Sequence, residues 1–234
     1  MNEQPGQLAF ALSSNDRASF ENFWQGRNTE LVAAIESSVN VGEPKVVYYY
    51  GASGAGKSHL QFAAMRLAKS EQCNTSYLPL TDDYVSVDML SVVDVKHVVC
   101  VDDIEAWAGD SEKERALFTL FEQIKHSGGQ LIVSSTQPPD ASGFTLKDLV
   151  SRLSSGLIYP VHELNDDQRF EALKMRARAK GLSISDDAVR YLQSRSSRDT
   201  GQLFEVLERI DYASLVEQRR VTIPFLQNLL SRFD

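Results

Sequence analysis

Cysteine and histidine are scarce in this 234-residue chain, with two of the first and four of the second. Cys73 and Cys100 stand far apart without a CxxC, and His59, His97, His126 and His162 are scattered without ligand spacing. Neither a disulfide scaffold nor a zinc site is supported. Long apolar runs are missing as well, none approaching the roughly 18 residues of a membrane span. The first 25 residues lack a basic start followed by an apolar core, so a cytoplasmic location with reduced thiols is expected. There is no basic excess either: 24 Lys and Arg against 32 Asp and Glu give a net charge of -8, which repels polyanions at a distance. Any nucleic-acid role must then be local or borrowed. Repeats and low-complexity tracts are absent, and 42% hydrophobic with 24% charged residues is globular composition, which excludes a disordered or fibrous chain.

What is present alternates between strand and helix signals. Residues 1–18 read as a flexible tail carrying one apolar patch, Leu8, Phe10 and Leu12. A helix follows, with Asn28 or Thr29 as its cap and Leu31, Val32 and Ile35 facing inward. The β-branched and aromatic run 45–51 leads into a helical stretch 58–70, and residues 75–80 and 95–103 repeat the strand signal. A helix over 111–126 then passes through Ser127, Gly128 and Gly129 into a strand over 130–136. Such alternation implies a parallel sheet covered on both faces. After Tyr159 and Pro160 only helical patterns remain, over 166–180, 186–194, 201–217 and from Val221 to near Leu230. The expected organisation is a tail (1–18), an α/β domain (19–163) and a small all-helical domain (164–234).

Gly51-Ala52-Ser53-Gly54-Ala55-Gly56-Lys57-Ser58 fits the P-loop pattern and lies between a strand-like run and a helix. Its glycines let backbone N–H groups curl toward phosphate oxygens, the helix start adds a positive dipole end, Lys57 reaches the β- and γ-phosphates, and the Ser58 hydroxyl is a ligand for magnesium. The apolar run Val98 to Val101 delivers Asp102 and Asp103 to the carboxyl end of the sheet. Asp102 is read as holding the magnesium shell through water, and Asp103 as orienting or deprotonating the attacking water. Thr136, after the next strand, is either a sensor of the γ-phosphate or ordinary turn chemistry before Pro138 and Pro139. The most basic stretch, Arg169 to Lys180, reads as the solvated face of a helix rather than a nucleic-acid site.

P-loop, paired acids, a polar sheet edge and trailing helices together resemble the AAA+ ATPases. That resemblance implies a P-loop NTPase core with a five-stranded parallel sheet flanked by helices, plus a small helical lid over the nucleotide. Ser19-Phe20-Glu21-Asn22-Phe23 with Gly26 and Asn28 resembles the opening segment of the DnaA family, which implies that Phe20, Phe23 and Asn28 line the adenine pocket. His59 joins Ser53, Gly54, Ala55 and Gly56 as an expected nucleotide contact on the same ground. Leu149-Val150-Ser151-Arg152-Leu153 resembles that family's arginine-finger segment, so that Arg152 projects into a neighbour's nucleotide. The chain is similar to DnaA-homologous regulators of replication initiation of the Hda type, which lack the DNA-reading domain. Gln7-Leu8-Ala9-Phe10-Ala11-Leu12 resembles the peptide by which such regulators dock on the polymerase sliding clamp, with Leu8, Phe10 and Leu12 in an apolar groove and Gln7 at its edge.

The resemblance implies ADP or ATP with Mg2+ as cofactors, and DnaA and the sliding clamp as partners. It further implies a head-to-tail homo-oligomer, no strong direct DNA binding, no membrane, and residence at the nucleoid or replisome. One departure bears on activity: the third lid helix of these proteins begins with a sensor arginine, and Gly201 stands at that position, with Arg195 and Arg198 out of register. Loss of one phosphate-stabilising cation lowers hydrolysis on the order of hundredfold. The expectation is an ADP-bound regulator with weak or no hydrolysis of its own that stimulates ATP hydrolysis on DnaA through Arg152. A helicase loader with its own turnover, and a non-catalytic nucleotide-sensing clamp adaptor, remain as alternatives.

Overall fold

The computed structural model describes residues 18–41, 43, 45–195, 200–217 and 219–231. Gln7, Leu8, Phe10, Leu12 and Arg198 therefore lie outside the described residues. Five strands, β1 (Val46–Tyr50), β2 (Thr75–Pro79), β3 (Val98–Asp102), β4 (Gln130–Ser135) and β5 (Leu157–Pro160), form one parallel sheet in the order β2-β3-β4-β1-β5. Both prolines in strands fall on the edge strands β2 and β5, where a missing N–H costs no ladder bond.

The two-residue period of the central strands sorts their side chains onto two faces. Tyr48, Val99, Val101, Leu131 and Val133 pack with Leu117, Leu120, Phe121 and Ile124 of α4 (Ser111–Ser127) and with Leu149 and Leu153 of α5 (Lys147–Leu153). Val47, Tyr49, Cys100 and Ile132 pack with Leu31, Val32 and Ile35 of α1 (Thr29–Val41) and with Leu60, Ala64 and Ala68 of α2 (Lys57–Ser70). Runs that are apolar at every position, such as Val98 to Val101, follow from burial on both faces. A short α3 (Val87–Leu90) lies between β2 and β3.

A third apolar cluster is built from the C-terminal helices α6 (Asp166–Ala179), α7 (Asp186–Arg195), α8 (Thr200–Glu217) and α9 (Ile223–Leu230), with Leu173, Leu192, Leu207 and Leu226 at its centre. Asn165 opens α6 with a capping box to Gln168, and Thr222 caps α9 through the Phe225 N–H with Pro224 in the first turn. Among the described residues no helix is long and apolar enough to cross a membrane.

Glu114 fixes the approach to α5. Fully buried on α4, it accepts the backbone N–H groups of Gly109 (2.7 Å), Thr145 (3.0 Å) and Leu146 (2.6 Å) and the Thr145 hydroxyl (3.0 Å). Burial pushes its carboxyl up, but the hydrogen bonds from Thr145, Leu146 and Gly109 outweigh that and hold it below its ordinary value of 4.5. A depressed folded-state value contributes stability above the unfolded value, and that contribution is lost as pH falls through the folded one. Glu114→Ala is expected to cost about 2–3 kcal/mol at pH 7, because several buried donors lose their acceptor. Urea melts at descending pH should show the gap to wild type narrowing once pH falls below the ordinary carboxylate range.

Candidate nucleotide-binding site

The sheet order places three strand ends side by side where one phosphate chain would lie. β1 ends in the P-loop, β4 beside it ends in Ser134 and Ser135, and β3 next to that ends in Asp102, with Asp103 following. The Gly51 N–H donates to the Ser135 carbonyl at 3.1 Å, tying the P-loop to β4. Residues 53–56 then turn into α2, with Gly54 at φ 76° and Gly56 at φ 96°, a left-handed backbone that favours glycine. At Gly56 a Cβ would also meet the Phe23 ring at 3.0 Å.

A cleft of about 1080 Å3 opens over this loop, walled by Ser53 to His59, by Asp103, Glu105 and Thr136, by Ser19 and Glu21 to Trp24 of the N-terminal segment, and by Met175, Arg176, Lys180, Gly201 and Phe204 of the helical region. The Lys57 Nζ donates to the carbonyls of Gly51 (3.1 Å) and Ala52 (3.4 Å) and lies 3.8 Å from Asp103 Oδ1. The ammonium thus already sits on the P-loop beside the acid. The first turn of α2 and the glycine cradle fit a nucleotide's phosphates. Ser58 and Asp103 both face the cleft, and Mg2+ in such sites takes one or two protein oxygens with the rest from phosphate and water. Among the described residues no three His, Cys, Asp or Glu side chains gather into a self-sufficient metal site.

The two acids are set apart by their surroundings. Asp102 is buried, with Oδ2 accepting from the Tyr77 hydroxyl at 2.8 Å and Oδ1 accepting from the Ser134 hydroxyl; it is not in the cleft wall. Asp103 is in the wall, at φ 50°, with its N–H donating to the Ser134 Oγ at 3.0 Å. Burial, then the Asp102 charge, raise its carboxyl above the usual range, with Glu105 adding to the rise and Lys57 opposing it. A carboxylate with raised proton affinity suits the water-orienting role.

Other expected contacts are placed differently. Phe20 and Phe23 pack on the α1–α2 side of the sheet, and Phe23 alone of the two walls the cleft. Asn28 does line the cleft, but it does not cap α1. It accepts the His162 N–H at 2.8 Å and donates its amide to the His162 carbonyl at 3.0 Å, joining the N-terminal segment to the chain after β5. Gly51 underlies the loop rather than facing the cleft. The Thr136 N–H donates to Glu105 Oε1 at 2.8 Å, which adds Glu105 to the wall. Gly201 does face the cleft, whereas Arg195 stacks on Tyr191 of its own helix and does not reach it.

His59 is a junction. Its Nε2 lies 3.0 Å from the Ser19 carbonyl and its Nδ1 lies 2.6 Å from an Arg176 guanidinium nitrogen. Burial and the Arg176 charge push the imidazole down to about 4, so it is neutral near pH 7, donating to Ser19 and accepting from Arg176. The basic stretch 169–180 must be corrected accordingly. Arg178 is exposed, but the side chain of Lys180 is only 7% exposed, Arg169 pairs with Asp166, Lys174 with Asp186, and Arg176 lines the cleft, so most cations of this stretch are engaged by the fold rather than solvated. A charge pattern alone does not separate a solvated face from one turned toward a neighbouring domain.

Arg152 lies away from its own cleft. It projects from α5, 40% exposed, with Nε 2.8 Å from Glu122 Oε1, while Leu149 and Leu153 anchor the helix in the core.

The bacterial DnaA ATPase-domain family model matches residues 14–160, and the Hda lid-domain model matches residues 166–230. Domain III of the Thermotoga maritima replication initiation protein DnaA is similar at 18% identity, with TM-score 0.76, over 92% of this chain and 96% of that one. AMPPCP-bound DnaA from Aquifex aeolicus matches at 22% identity and TM-score 0.66 over 85% of this chain and 66% of that one. The Thermotoga maritima RuvB Holliday junction branch migration motor matches at 17% and 0.69 over 94% and 73%. With a P-loop on a five-stranded parallel sheet and both family models on adjoining segments, the chain belongs to the DnaA family of AAA+ ATPases and carries a lid of the Hda type.

Proposed function

We propose that this chain holds ADP in the cleft as a structural cofactor, docks on the DNA-loaded sliding clamp through Gln7, Leu8, Phe10 and Leu12, and presents Arg152 to ATP bound on DnaA. The initiator is thereby converted to its ADP form and re-initiation of replication is prevented. The observation that carries the reading is the placement of Arg152: a partly exposed guanidinium on a helix anchored in the core, outside the wall of its own cleft. A cation in that position has a use if it meets a neighbour's nucleotide in a head-to-tail contact, the arrangement that a finger supplied in trans requires. The same contact would build a homo-oligomer.

Within the cleft, Lys57 and the N–H groups of Gly54 to Ser58 bind phosphates, while Ser58 and Asp103 would hold Mg2+. When bound, Mg2+ would supply neutralisation of phosphate charge at this place. Asp102 acts behind the wall, keeping Ser134 and hence the Asp103 backbone in position. With glycine at 201, slow turnover by the chain itself is expected. A net charge of -8 leaves DNA contact to the clamp, which would place the protein at the replisome.

The test combines the chain, ADP, DNA-loaded clamp and ATP-bound DnaA, and follows phosphate release. Stimulation that needs the clamp supports the reading, and stimulation indifferent to the clamp removes the tail's role. Leu8→Ala and Phe10→Ala should each weaken binding to immobilised clamp by about tenfold or more, as loss of an anchor in an apolar groove does. ADP binding should stay unchanged in both variants.

A further inference from the structure

Resting on the nucleotide reading of the cleft, we propose that Arg176 is the lid's phosphate contact, gripping from α6 the α- and β-phosphates that ADP and ATP share, in place of an arginine at position 201.

Among the described residues the lid brings two cations, Lys180 and Arg176, to the cleft wall. They are treated oppositely. Lys180 is neutralised by Glu208 at 2.5 Å and Asp211 at 3.4 Å. Arg176 has no carboxylate within ion-pair distance among the described residues; one guanidinium nitrogen faces His59 Nδ1, and its Cζ lies over the Phe204 ring, 3.9 Å from the ring centre. Burial pushes its pKa down to about 10, with Glu208 working against that, so it stays charged near neutrality. A guanidinium has five N–H donors, and a neutral imidazole with an aromatic face satisfies few of them. A largely desolvated cation in this condition is costly unless an anion completes it.

The place of the missing anion follows from His59. That residue belongs to the first turn of α2, directly after Lys57 and Ser58, so Arg176 stands over the part of the helix whose N–H groups point to the phosphates. His59 holds the guanidinium over the cleft and, through the Ser19 carbonyl at 3.0 Å, ties that position to the N-terminal segment. Arg176 lies on the His59 side of this turn, whereas Lys57 faces Asp103 at 3.8 Å, on the side of the β3 end where the γ-phosphate is expected. Arg176 therefore reads occupancy rather than the difference between ATP and ADP, in keeping with a lid that closes on ADP.

The test is equilibrium titration of fluorescent ADP and ATP onto the full chain, with thermal melts of the nucleotide-free protein. Arg176→Met, which keeps a stem over Phe204, and Arg176→Ala should weaken both nucleotides by the same factor, about 10–100-fold. Arg176→Lys should fall between them and wild type, and the nucleotide-free melts should stay within a few degrees of wild type. Unchanged affinities in Arg176→Met would overturn the assignment. So would a loss confined to ATP, or a melting defect matching the affinity loss, since the residue would then sense the γ-phosphate or merely latch the lid. Lys57→Ala separates the two levels: if it binds both nucleotides as wild type does, the reading of the cleft fails, whatever Arg176 does.

Discussion

Replacing Arg152 by alanine is expected to cut stimulation of ATP hydrolysis on DnaA by about 10³-fold or more, the range of an arginine finger supplied in trans. ADP binding and clamp binding should remain as in wild type. The separation follows from where the side chain sits. Leu149 and Leu153, each 1% exposed, fix the register of α5, so position 152 faces outward whatever residue occupies it. The pair with Glu122 is partly exposed, and such pairs contribute little to stability. The melting temperature should therefore barely move while the stimulated rate collapses. Arg152→Lys should recover only a small part of the rate, because an ammonium does not present the planar fork that grips a phosphoryl group at two oxygens. Phosphate release from DnaA under single-turnover conditions measures all three variants.

Lys57→Ala is expected to weaken ADP and ATP binding by about 10³-fold, since two charge-assisted hydrogen bonds to phosphate are worth about 1.5–3 kcal/mol each. In the free protein the ammonium is held by two P-loop carbonyls and faces Asp103 at 3.8 Å. It is positioned before any anion arrives, so little ordering is needed on binding. Its removal leaves Asp103 beside the loop without its opposing cation, which adds repulsion against phosphate to the loss of the donor. Isothermal titration with both nucleotides gives the factor, and near-native melting of the free variant would separate lost binding from misfolding.

The parts of this site legible in the sequence are those in which chemistry is contiguous along the chain. Gly51 to Ser58 and the acids after Val98 to Val101 are each encoded within eight residues, and folding only has to bring two strand ends together. The contacts that stayed hidden join distant segments: Arg176 to His59 across 117 residues, Asn28 to His162 across 134, and Glu114 to Thr145 across 31. No local period reports such pairs. Arg176 in particular sits in a run of cations whose pattern suits a solvated helix face, and only the packing of α6 against the Phe20–Asn22 segment and the reach to His59 turn it inward. The fifth strand was expected from family resemblance without being located. Leu157 to Pro160 is a four-residue edge strand with half-exposed residues, so it shows neither the alternation of a half-buried strand nor the continuous apolar run of a central one. Of the paired acids, the sequence reading puts Asp102 at the metal shell and Asp103 at the attacking water, whereas the Tyr77 and Ser134 hydroxyls occupy Asp102 and leave only Asp103 facing the cleft.

Whose nucleotide is cleaved is the question on which everything else turns. Labelled ATP is loaded on DnaA, this chain is supplied with unlabelled ADP, and labelled phosphate is followed with and without DNA-loaded clamp. The expected result is release from DnaA accelerated by about 10³-fold when chain and clamp are both present, with the chain's ADP retained. Labelled ATP that stays intact on DnaA while the chain turns over nucleotide of its own, or acceleration that survives Arg152→Ala, would contradict it.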